Sequence, residues 1–99
     1  MTYPQNDKLI PAEDYELYMP LLEAMQLDLE ETLVEKPDAV FYPGRSIVVN
    51  RFLGTLKSLL GGGGESLAML DERGVISAES VSKTINSYQS AFLKMAPKN

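Results

Sequence analysis

The sequence predicts an all-α domain: a small bundle of four or five short helices preceded by an extended N-terminal arm over residues 1–10. Three observations carry that expectation. Apolar residues recur at steps of three and four in successive stretches. Prolines and glycines stand where those stretches begin and end. A chain of 99 residues, 44% of them hydrophobic, supports one modest core and not two, so residues 1–99 are read as a single domain.

Residues 1–10 show no periodic apolar pattern and include Pro4, which makes them an arm. Pro11 suits the first turn of a helix, and Glu13 and Asp14 follow where the positive end of the helix dipole favours acids. Tyr15, Tyr18, Leu22, Met25, Leu29 and Leu33 then line one face, with Glu16, Glu23, Gln26, Glu30 and Glu31 mainly on the other. Pro20 interrupts this stretch, so the expectation is a helix near 12–19 and a second near 20–35, or one kinked helix. Pro37 ends it. Pro43 and Gly44 have the chemistry of the two central positions of a type II turn.

Ser46 can cap the next helix, in which Val48, Val49, Phe52, Leu53, Leu56, Leu59 and Leu60 form a wide stripe while Asn50, Arg51, Thr55 and Lys57 point away. Gly61–Gly64 stop that helix and read as a flexible hinge, or as an artificial linker joining two segments. The run is not followed by the Lys-Ser/Thr of a phosphate-binding loop. Glu65–Arg73 reads as a short helix with Leu67 and Leu70 inward and Gly74 after its last turn. Ser77 caps a final helix in which Val81, Ile85, Tyr88, Phe92 and Met95 step by four and three, and Pro97 closes it.

The stretch Gly74-Val75, then Ser77 through Val81, Lys83, Ile85 and Asn86, is similar to the helix-turn-helix of lactose-repressor-type regulators. Ile76 is one residue extra in the turn, and Leu70 stands where that motif has a small residue. The resemblance implies that Ser80, Lys83, Thr84, Asn86 and Ser87 face a major groove, where lysine and asparagine can read base edges. A net charge of −5 opposes a general grip on nucleic acid, so a small DNA-binding regulator built on 65–88 is the alternative reading.

That net charge is unevenly divided. Residues 1–39 hold ten acids against Lys8 and Lys36, a balance of −8; residues 40–99 hold seven bases against four acids, a balance of +3. The halves either satisfy each other or face different partners. The carboxylates Glu30, Glu31, Glu35 and Asp38 read as a solvated face, because adjacent glutamates diverge on a helix.

Composition removes whole classes of chemistry. The chain has no histidine and no cysteine, which excludes imidazole catalysis, thiol chemistry, disulfides and histidine- or cysteine-ligated metals. No cofactor, metal or catalytic residue is expected. No apolar run approaches the roughly 20 residues of a membrane span, and Met1–Asp7 lack the features of a secretory signal, so a cytoplasmic protein is expected. Tyr15, Tyr18, Met19, Phe41, Tyr42, Tyr88 and Phe92 are of types enriched at protein interfaces. Together these readings predict a non-enzymatic protein–protein interaction domain, an adaptor or regulator that meets another protein or itself as a homo-oligomer.

Overall fold

The computed structural model describes residues 9–97. Its elements are α1 (Ala12–Glu35), β1 (Val40–Phe41), α2 (Pro43–Leu60), a 3-10 turn (Gly61–Gly64), β2 (Ile76–Ser77) and α3 (Ala78–Lys94). The all-α class holds, with three α-helices among the described residues where four or five were expected.

Helix α1 runs unbroken through Pro20. An interior proline costs about 3 kcal/mol, but Met19 and Leu22 on either side are buried, and their packing outweighs that cost. Glu16, whose carbonyl Pro20 leaves without its helical donor, is exposed, as is Pro20, so water can hydrate the freed group. The expected inner face is the one observed: Leu22 and Leu29 are buried, with Tyr15, Tyr18, Met25 and Leu33 packed against the core. Gln26 departs from expectation. It is half-buried and its Oε1 accepts from Ser82 Oγ of α3 at 3.3 Å.

Pro43 and Gly44 form the first turn of α2 rather than a type II turn, because proline's fixed φ and missing donor are as well suited to a helix start. The Tyr42 carbonyl accepts from Arg45 and Ser46 N–H at 3.0 and 3.2 Å. Ser46 is therefore inside α2 and not its cap, and its Oγ is buried without a hydrogen-bond partner. The buried face of α2 also differs from the expected stripe. Val48 is exposed, whereas Asn50 is buried beside Val49, Leu53, Leu56 and Leu60.

Side-chain contacts fix the packing. Tyr15 stacks on Phe92 with ring centroids 6.1 Å apart, and the Ile10 N–H donates to the Met95 carbonyl at 3.0 Å, so α1 and α3 run antiparallel. Tyr18 lies against Phe52 at 6.0 Å and Asp28 approaches Arg45 at 3.9 Å, so α1 is antiparallel to α2 as well. Ile10 is 1% exposed, which shows that the end of the expected arm is docked in the core; residues 1–8 lie outside the described set. Beyond α1, strands β1 and β2 pair antiparallel with Val40 opposite Ser77 and Phe41 opposite Ile76. Ala78 N–H extends the ladder to the Ala39 carbonyl at 2.9 Å, tying the entrances of α2 and α3 together.

The largest departure lies between α2 and α3. The helix expected over Glu65–Arg73 is absent: after the glycine turn, residues 67–75 have no regular structure, although Leu70 is buried as expected. Side chains of α2 and α3 take the place of helical hydrogen bonds. Asn50 Oδ1 accepts from Leu70 N–H at 2.8 Å while Asn50 Nδ2 donates to the Leu70 carbonyl at 2.8 Å and to Glu72 Oε2 at 2.6 Å. Lys57 Nζ donates to the Leu67 carbonyl at 2.8 Å, and Tyr88 Oη donates to the Ala68 carbonyl at 2.9 Å. Asn50 and Lys57 thus point inward at this segment, against the sequence expectation.

The four glycines do different work. Gly61 has φ +56°, a conformation that L side chains adopt with strain. A Cβ on Gly64 would sit 3.1 Å from Leu60 Cβ and 3.3 Å from the Lys57 backbone, whereas one on Gly62 would meet nothing within 4 Å. At Ser77 the expected cap is in place, its Oγ accepting from Ser80 N–H at 3.1 Å.

Two outcomes are expected from this arrangement. Asn50→Ala should destabilise by about 3 kcal/mol in urea unfolding, because both polar groups of buried Leu70 lose their partners. Asn50→Asp should be destabilised at neutral pH, where a carboxylate faces the Leu70 carbonyl and Glu72. That variant should regain stability as pH falls and the carboxyl takes up the proton that lets it donate. In an alanine scan of the turn, Gly61→Ala and Gly64→Ala should each lose about 1 kcal/mol or more, while Gly62→Ala should be neutral or gain a few tenths. Equal responses at all three positions would mean a flexible tether.

Candidate interaction surface

The aromatic and methionine residues nominated as interface candidates are mostly consumed by the core. Met19, Phe41, Tyr88 and Phe92 are buried, and Tyr15 and Tyr18 are half-buried against Phe92 and Phe52. The reason is size: a three-helix core this small needs its large side chains inside. Arg45 lies over the Phe41 ring at 4.2 Å, closing that side chain off further. Only Tyr42 of the set is well exposed, at 65%.

The groups nominated for a nucleic-acid face are also differently disposed. Ser80, Lys83, Asn86 and Ser87 are exposed on α3 and Thr84 is half-buried. Three of their hydroxyls are turned back on the helix's own carbonyls: Ser80 to Ser77, Thr84 to Ser80 and Ser87 to Lys83, at 2.8 to 3.1 Å. Hydroxyls so engaged are less free to reach bases. Because 65–73 is not helical, the two-helix unit of the lactose-repressor-type motif is not formed.

A surface missed in the sequence lies on the outer side of α1. Leu17, Leu21 and Leu27 are 45 to 57% exposed and Val34 is 83% exposed. With Ala24, their spacing of four, three, three and seven places them along one side of the helix, opposite the core. Helix α1 is thus apolar on two faces. The signal that could have found the second one was the apolar excess itself: Leu17, Leu21, Leu27 and Val34 fall outside the inner stripe, masked by the acids among them.

Those acids are the other half of the surface. Residues 12–35 contain Glu13, Asp14, Glu16, Glu23, Asp28, Glu30, Glu31 and Glu35 and no lysine or arginine. The basic second half of the chain does not neutralise them. Among the described residues the ion pairs are Asp28–Arg45, at 3.9 Å with both side chains exposed, and the local Asp71–Arg73 pair at 3.2 Å. An exposed pair of that length contributes little. Arg73 is engaged locally, its backbone N–H and Nε both donating to Asp71 Oδ1, which holds that carboxyl below its ordinary range. Lys57 is spent on the Leu67 carbonyl.

Nothing in this surface or elsewhere among the described residues gathers three metal-ligating side chains, and none of the helices is long and apolar enough to cross a membrane. A shallow cleft of about 240 Å³ beside α3 is lined by Ser66, Leu67, Ala68, Lys83, Thr84 and Ser87, with no carboxylate to form an acid–base pair with the lysine. No protein-family model matches the chain, and comparison with curated proteins and with solved structures gives no match.

Burial raises the Tyr88 phenol above its ordinary value of 10.0. A group whose folded pKa lies above its unfolded value contributes stability that is complete below the unfolded pKa and is lost as pH rises through the folded one. Phenolate absorbance should therefore show one of the five tyrosines ionising after the others, together with the onset of alkaline unfolding. Tyr88→Phe should remove that late step; an unchanged titration would contradict the assignment.

Proposed function

We propose that this chain is a non-enzymatic helical interaction domain that presents the outer face of α1 to a partner protein. The observation that carries the reading is the exposed stripe Leu17, Leu21, Ala24, Leu27 and Val34 on a helix that holds eight acids and no lysine or arginine. A contiguous apolar surface rimmed by charge is the usual mark of a protein contact, and isolated exposed leucines are not. Buried Phe41, Tyr88 and Phe92, with Tyr15, Tyr18 and Phe52 packed against the core, supply the support from which α1 is displayed. Partner choice falls on a different protein over a second copy, since α1 against α1 sets acid against acid.

Panning a random-peptide display library on the folded chain tests this. Enriched peptides should bind the native protein and lose about tenfold or more in affinity for the triple variant Leu17→Gln/Leu21→Gln/Leu27→Gln. That variant should unfold within about 0.5 kcal/mol per site of the native chain, because the three side chains are exposed already. A library that yields no binders, or binders indifferent to the triple substitution, would contradict the proposal.

A further inference from the structure

The pattern of charge on α1 specifies what kind of partner its outer face can accept. In a seven-residue register that starts at Leu17, the seam positions are Leu17, Pro20, Ala24, Leu27, Glu31 and Val34. One edge of that seam is then Glu16, Glu23 and Glu30, each exposed and seven residues apart, which is about 10.5 Å along the axis. The opposite edge is Leu21, Asp28 and Glu35. Positions flanking a helical seam decide partner and orientation through their charges, and here five of the six are acidic. The seam from Leu17 to Val34 covers five turns, about 27 Å.

We propose that this face seats one basic amphipathic helix of a different protein, about five turns long. Its apolar side chains lie on Leu17, Ala24, Leu27 and Val34, and its lysines or arginines meet Glu16, Glu23 and Glu30 on one edge and Asp28 and Glu35 on the other. The inference rests on the reading of α1 as the partner surface and adds the chemistry of the occupant. A second copy docking through the same face would place Glu16, Glu23 and Glu30 opposite Leu21, Asp28 and Glu35, or opposite one another, in either helix direction. Like charges at those positions oppose pairing. Nor does the chain's own basic half pair with these acids: among the described residues the ion pair that reaches α1 is Asp28–Arg45, at 3.9 Å with both side chains exposed.

The test uses the full chain, labelled for NMR, and three synthetic peptides of equal length. One is a leucine-seamed helix with lysine edges, the second replaces every lysine by glutamate, and the third keeps the basic composition with a central proline that breaks the helix. The basic helix should bind, shift the resonances of the α1 outer face, and weaken about tenfold or more between about 50 and 500 mM salt. The Glu16→Gln/Glu23→Gln/Glu30→Gln variant should bind it at least about fivefold more weakly, while folding as the native chain does.

Equal or tighter binding of the glutamate peptide overturns the charge assignment and leaves the partner-surface reading standing. Equal binding of the proline peptide overturns the helical occupant. Failure of all three, with α1-directed peptides recovered by panning, overturns this inference alone; failure of both experiments overturns the partner surface too. A mass in solution that doubles with concentration, and reverts in the triple Leu-to-Gln variant, would give the face to a second copy and overturn the inference.

Discussion

A buried asparagine carries the connection on which this small fold depends. The chain between α2 and α3 inserts Leu70 into the core without regular structure, and its buried peptide groups need a donor and an acceptor. The Asn50 carboxamide supplies both from within α2, pairing with the Leu70 N–H and carbonyl as a neighbouring strand would. Its second amide hydrogen reaches Glu72. With that clamp in place Leu70 joins the core, and the Lys57 and Tyr88 bonds hold the preceding residues. Without it the segment would expose Leu70 or bury unpaired polar groups, either of which is expensive on the scale of a small domain's stability.

The glycine turn makes the clamp reachable. Gly61 reverses the chain at a positive φ, and Gly64 passes so close to Leu60 and the Lys57 backbone that a side chain there would have to push its neighbours aside. Leu67 is thereby delivered to Lys57 and Leu70 to Asn50, both on the helix the chain has just left. The two-residue ladder of β1 and β2 then returns the chain to the start of α3, whose inner face packs against α1. This closes the core on one side of α1 only, which is why the leucines and acids of its other side remain in solvent.

Much of this was legible in the sequence, and the failures share a physical cause. The inner face of α1, the Ser77 cap and the buried series Val81, Ile85, Tyr88 and Phe92 follow from spacing and capping chemistry, which are local. Asn50, Lys57 and the segment 65–73 were misread because their conformation is decided by partners 10 to 20 residues away. Glu65–Arg73 has an acceptable helical pattern, but tertiary hydrogen bonds compete with it and win. Residue type likewise marks Tyr88 and Phe92 as suited to a contact without saying whether that contact is internal, and both are buried in the core. The outer face of α1 was hidden because one helix carries two apolar stripes, and a search for a single amphipathic face stops at the first.

Whether Leu70 is locked by Asn50 or merely rests near it is answered directly by amide hydrogen exchange of the intact chain. If the clamp is the constraint described, the Leu70 N–H exchanges only through global unfolding, with the same free energy and denaturant dependence as the buried amides of α3. Exchange of Leu70 at the rate of an open loop, while α3 remains protected, would contradict it.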